Sequence, residues 1–159
     1  MNPEIPRLAK KYHASESMFF IGRNTDYAVA LEGALKMKEI SYIHAESYAA
    51  GELKHGTIAL IHEGQPVIAL CCNEAITEKT MSNIVEVKAR GAEVLAVAHR
   101  ENSRILSLAD DMIFVPRVQA LFSAAVEIVP LQLLAYYVAK ENNCDIDKPK
   151  NLAKSVTVE

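Results

Sequence analysis

Glu32, Lys36 and Glu39 lie four and then three residues apart in LEGALKMKEISYIHAESYAAGELKHG, residues 31–56. At about 100° per residue they share, with Ile43, one narrow sector of a helix. Ala28, Leu31 and Leu35 flank that sector on one side; Val29, Gly33 and Ile40 flank it on the other. Ala30, Ala34, Met37, Lys38 and Ser41 fall opposite. A surface helix keeps its charges away from its apolar stripe, whereas this pattern predicts charges inside it. Two readings stand on spacing alone. One is a Glu32–Lys36 pair at i, i+4, contributing roughly 0.3 kcal/mol, with Glu39 on a solvated rim. The other is a carboxylate at the wall of a cleft, its proton affinity set by partial burial and a neighbouring ammonium. Such a group serves as a general acid–base near neutral pH.

Other candidates are weaker. His55 sits in GELKHG between Gly51 and Gly56, where an isolated histidine is by default structural or solvated. His13, His44, His62 and His99 suggest no chemistry. The histidines and cysteines show no paired ligand spacing, so no metal is expected, nor any other cofactor. Lys154 in NLAKSVTVE is by default a solvated lysine on a tail. If that tail folded over a pocket, burial could lower its amine pKa enough for attack on a sugar carbonyl.

The elements that must position these groups follow from the apolar runs. The 159 residues, half of them apolar and 23% charged, suit one soluble domain. A net charge of −3 argues against a general nucleic-acid surface. Cys71, Cys72 and Cys144 are few and odd in number, as expected in a reducing, cytoplasmic setting. No uninterrupted apolar run reaches the roughly 18 residues of a membrane span, so no membrane is expected as a partner. MNPEIPRLAKKY lacks the apolar centre of a signal peptide. Continuous apolar runs at 17–23, 65–72, 93–100 and 110–116 read as buried strands, with a fifth at 44–48. Helical patterns at 25–43, 74–91 and 118–143 alternate with them, and a further helix is expected over 50–61. Gly91 is placed to stop the second, and Pro130 predicts a kink in the third. The fold class is therefore α/β: a doubly wound, flavodoxin-like, five-stranded parallel sheet flanked by helices. It is expected over residues 1–143, with an extended tail over 144–159.

Three segments carry a resemblance: FFIGR, LEGALKMKEISYIHAESYAAGELKHG and VPLQLLAYYVAKENNCDIDKPKNLAKSVTVE. Together they resemble the glutamine–fructose-6-phosphate aminotransferase family, in the C-terminal half of its sugar-isomerase (SIS) region. The likeness runs from about Ser17 to Glu159. That family makes glucosamine 6-phosphate and glutamate from fructose 6-phosphate and glutamine. The resemblance implies that Glu39 is the base shuttling a proton between sugar carbons 1 and 2, and that Lys154 forms a Schiff base with the open-chain ketose. It implies that His55 opens the sugar ring in a neighbouring subunit's site, hence a homodimer. Lys36 and Glu32 match charged residues beside the base, and Glu32 and Ala153 are implied substrate contacts.

The sequence also departs from a complete enzyme. Phosphate-holding SIS domains carry a loop resembling S-x-S-G-x-T, whose hydroxyls and backbone donors cradle the anion at a helix N-terminus. The corresponding loops here read GRNTDYA (22–28) and CCNEAITEKT (71–80), and the second has no glycine. Asn2, not a nucleophilic cysteine, follows Met1. A glutaminase domain and a first, phosphate-binding SIS domain are therefore expected as missing partners, and little activity is expected from this chain alone. The alternative is a non-catalytic sugar-phosphate-binding or dimerisation module.

Overall fold

In the computed structural model, residues 4–152 are described. Five parallel strands, β1 (Ser17–Gly22), β2 (His44–Ala49), β3 (Pro66–Cys71), β4 (Glu93–His99) and β5 (Asp111–Val115), form one sheet in the order β2-β1-β3-β4-β5. This is the doubly wound order expected, with its switch point between β1 and β3. Alternating side chains divide the core. Phe20, Ile68, Leu70, Leu95 and Val97 point into one layer, and Phe19, Ile21, Val67, Ala69 and Val94 into the other. Because both faces are covered, β1, β3 and β4 read as near-continuous apolar runs, whereas the edge strand β2, HAESYA, does not.

The first layer is built by α1 (Glu4–Tyr12), α2 (Thr25–Ser41) and a last, long helix. The second is built by α3 (Thr77–Lys88), the short α4 (Ser103–Leu106) and the loop after β2. The last helix, α5 (Ala120–Glu141), runs through Pro130 without ending. Gly33 lets α2 and α5 approach: a Cβ there would lie 2.6 Å from the Leu131 side chain. Gly91, at φ +89° two residues beyond the α3 C-cap Ala89, is required twice over. Its backbone is left-handed, and a Cβ would strike Glu63.

Four expectations change. Residues 50–61 form two single 3₁₀ turns, Leu53–His55 and Thr57–Leu60, instead of a helix. Gly56 between them, at φ 159°, takes a conformation no helix contains. The α2 charges lie outside its buried stripe, because Val29, Ala30, Gly33, Ala34, Met37 and Ser41 form the inward face and leave Leu31 and Leu35 exposed. The wheel identified the charged sector correctly, but of its two apolar flanks only Val29 and Gly33 are buried, and the core is completed by the opposite side, Ala30, Ala34, Met37 and Ser41. In addition, α5 is long and, averaged along its length, apolar enough to cross a membrane. Glu127 and Pro130 interrupt its apolar letters, yet their effect on the average is small. The expectation considered only unbroken runs, and here Leu131, Leu134, Ala135 and Val138 are spent on the core. Finally, the described part of the tail is looped, not extended: Asp145 accepts from the Asp147 and Lys148 amides and turns the chain.

Helix α1 was not anticipated, although Ile5, Leu8, Ala9 and Tyr12 have helical spacing and are its buried residues. Arg7 (2.7 Å), Lys11 (2.5 Å) and the Tyr12 hydroxyl (3.1 Å) converge on Asp111 at the start of β5. Burial works to raise the Asp111 carboxyl, but the bonds from Lys11 and Arg7 outweigh it and hold the group below its ordinary value.

Candidate active site

Helix α2 brings Glu32, Lys36 and Glu39 together. The Lys36 Nζ donates to Glu39 Oε2 at 2.6 Å and lies 3.5 Å from Glu32 Oε1. Relative exposure of the three side chains is 41% for Glu32, 31% for Lys36 and 26% for Glu39. Glu39 is therefore neither in bulk water nor buried. Lys36 is raised above its ordinary value, chiefly by the Glu39 hydrogen bond, and so remains a cation beside that carboxylate at neutral pH. A partly exposed carboxylate oriented by a neighbouring ammonium can take and return a proton.

A hollow of about 400 Å³ lies between α2 and α5, lined by Lys36, Ile40, Val129, Gln132, Leu133 and Tyr136. Lys36 is the member of the triplet on its wall. This volume falls in the range of small-molecule sites.

The C-terminal end of α2 has a second role. Tyr42 follows Ser41 at φ +63°, a left-handed conformation costly for a bulky side chain, about 1 kcal/mol. The chain leaving α5 returns here. Cys144 Sγ lies 3.9 Å from the Ser41 carbonyl, and the Lys150 N–H donates to the Tyr42 hydroxyl at 2.8 Å. The Lys150 ammonium lies 5.3 Å from the Tyr42 ring centroid.

His55 ends the first 3₁₀ turn and is exposed. It follows β2 at the sheet edge, and no hydrogen bond or ion pair joins its side chain to the α2 charges. Lys154 and Ala153 lie outside the described residues.

At the other end of α2 the structure assembles a group that sequence reasoning missed. Asp26, 1% exposed, accepts from the Cys72 (2.9 Å) and Asn73 (3.1 Å) amides, bridging α2 to the end of β3. Glu127 on α5, also 1% exposed, accepts from the Ser123 hydroxyl. Asp26 Oδ1 and Glu127 Oε2 have no hydrogen-bond partner. Burial pushes both carboxyls above their ordinary values; the Asn73 and Cys72 amides oppose this at Asp26, and the Ser123 bond opposes it at Glu127. Each is further raised or lowered by its charged neighbours, with His99 stabilising both anions. The available signal was Glu127 itself, a lone acid in the apolar run SAAVEIVP. No group of histidine, cysteine and acidic residues among those described could hold a metal ion.

The SIS domain family model matches residues 11–141. This chain belongs to the SIS family. It is 54% identical over 155 residues to the glutamine–fructose-6-phosphate aminotransferase (isomerizing) of Clostridium tetani, and 55% identical over 155 residues to that of Methanosarcina acetivorans. Each match covers 98% of this chain, but 26% and 25% of the respective relative. The chain thus spans about a quarter of the length of the curated relatives it matches. Among solved structures, the C-terminal domain of glucosamine-fructose-6-phosphate aminotransferase from Francisella tularensis superposes with a TM-score of 0.87 at 37% identity. That match covers 91% of this chain and 41% of the other. The glucosamine-6-phosphate deaminase of Thermotoga maritima superposes at 0.69 with 27% identity, covering 97% and 46%. The SIS fold accounts for the sheet order, and the aminotransferase likeness extends over the α2 triplet and the C-terminal segment.

Proposed function

We propose that this SIS domain is the isomerase part of an enzyme that converts fructose 6-phosphate and glutamine to glucosamine 6-phosphate and glutamate. The observation that carries the reading is the Lys36–Glu39 contact at 2.6 Å, on a carboxylate about one quarter exposed. Ketose-to-aldose isomerisation removes a proton from one carbon and returns it to the next. Glu39 performs both transfers, and Lys36 keeps the carboxylate oriented. Lys154 forms the imine with the open-chain ketose, and His55, from a second copy of the chain, assists ring opening. Glu32 and Ala153 contact the sugar. Residues 1–143 form the domain, and residues 144–159 form its active-site segment.

Anchoring the phosphate and releasing ammonia fall to further domains, since the loops at 22–28 and 71–80 lack the hydroxyl- and glycine-rich phosphate cradle. Three free cysteines, two of them buried, support a reducing cytoplasmic location. Calorimetry tests the division of labour. Fructose 6-phosphate should bind this chain only once the region preceding the matched segment in the relatives is supplied. Micromolar binding by the chain alone, without turnover, instead supports a sugar-phosphate-sensing module. Formation of glucosamine 6-phosphate from ammonia by the chain alone, at ordinary enzymatic rates, would refute the dependence on other domains.

A further inference from the structure

We infer that Asp26 and Glu127 are specificity-determining acids: from inside the fold they occupy the donors that could hold an anion at the carboxyl end of β3, and so close that crevice to phosphate. The inference goes beyond the isomerase reading and does not depend on it, since neither acid belongs to the α2 triplet.

Doubly wound sheets take ligands outside the carboxyl ends of their strands, at the switch point. Here that point lies between β1 and β3. A hollow of about 410 Å³ opens there, with Thr25, Cys72, Asn73, His99, Arg117 and Ser123 on its wall. Its volume is that of a small-molecule site. Two sets of donors come from these residues. The Cys72 and Asn73 N–H groups are successive in the chain and converge on one point, and paired amides of this kind form a concavity for anions. The Ser123 hydroxyl supplies the second set from α5. A cradle spelled out in one loop would show in the sequence; these donors are backbone groups and a hydroxyl from another element.

Both sets are already committed. Asp26 Oδ2 accepts from the two amides, at 2.9 and 3.1 Å, and Glu127 Oε1 accepts from Ser123. Each acid is 1% exposed, so neither is a surface side chain that a ligand could push aside. The remaining oxygens, Asp26 Oδ1 and Glu127 Oε2, have no hydrogen-bond partner. An unpaired buried oxygen destabilises a fold, so stability alone does not account for either acid. Arg117 on the same wall is paired with Glu74. An incoming phosphate would therefore meet two buried acids and find the amides, the hydroxyl and the guanidinium all engaged.

Inorganic phosphate is the probe, titrated into the full chain near neutral pH while the Cys72 and Asn73 amide resonances are followed by NMR. Wild type should show no saturable shift at these amides. Asp26→Ser uncovers them and should bind phosphate at least about tenfold more tightly than wild type, with both resonances moving together. Adding Glu127→Gln removes the second acid and should tighten binding about tenfold again. Asp26→Asn keeps an oxygen on the amides and should stay closed, which separates an opened site from a loosened fold. Formate gives a second readout, through stability: as a free carboxylate it should raise the thermal midpoint of Asp26→Gly and leave that of wild type unchanged. Saturable shifts in wild type as large as those in Asp26→Ser overturn the inference. So does a double variant, folded by its β4 resonances, whose Cys72 and Asn73 amides ignore phosphate, and so do equal responses to formate in wild type and Asp26→Gly.

Discussion

The two ends of α2 carry acids in opposite circumstances. At the N-terminal end Asp26 is 1% exposed, bonded to two backbone amides and raised in pKa by burial. Toward the C-terminal end Glu39 is 26% exposed and bonded to one flexible ammonium. A search for perturbed carboxyls would select Asp26 and its neighbour Glu127, because perturbation and function often coincide. The proposed function instead rests on Glu39. The difference is that a carboxylate committed to two amides holds a fold together, whereas one held by a single side chain on an open rim can still exchange protons with a ligand.

That contrast can be broken in four ways. The largest effect is expected at Glu39. Glu39→Gln, assayed with the missing domains present, should lower sugar isomerisation about 10³-fold and leave the urea midpoint where it is. An undiminished rate would make Glu39 a solvated rim residue after all. Next comes Asp26→Ala, which orphans the Cys72 and Asn73 amides and should cost about 2 kcal/mol of stability in chemical denaturation. Asp26→Asn keeps an acceptor and should cost less; equal losses would mean that charge, not the amide bonds, holds this end.

Glu127 gives a smaller, pH-dependent effect. Its folded-state carboxyl is raised above the ordinary 4.5, so the folded chain keeps a proton that the unfolded chain has already released. Its contribution to stability is present below the unfolded value and is lost as the pH rises through the folded one. Glu127→Gln, which cannot ionise, should therefore gain in thermal midpoint on wild type over the pH window above 4.5, and not below it. A constant difference across that window would show that Glu127 is neutral or charged throughout. The smallest effect belongs to Lys36→Met. A partly exposed ion pair contributes little, so stability should change by less than about 0.5 kcal/mol in urea melts. A larger loss would mean that the triplet is structural, like Asp26.

Much of this was legible in the amino-acid sequence. Unbroken apolar strands alternating with helical patterns specified a parallel, doubly wound sheet, because only strands covered on both faces carry such runs. The charged sector of α2 was equally legible, since a 3.6-residue period fixes which side chains neighbour one another. The flank facing the core was not. Ala30, Ala34 and Met37 compete with Leu31 and Leu35 for the interior, and small residues prevail because α5 approaches so closely at Gly33. Residues 50–61 escaped reading for a similar reason: Leu53 and Ile61 seek the second layer while Gly51 and Gly56 break the period.

Sequence by itself determined the five strands, the longer helices between them and the neighbours within each helix, because these depend on interactions a few residues long. Tertiary structure alone decided that Asp26 meets Cys72 across 46 residues and that Lys150 meets Tyr42 across 108. No local period encodes such pairs. They form because a twisted sheet and the packing of α5 bring distant stretches of chain to the two ends of α2.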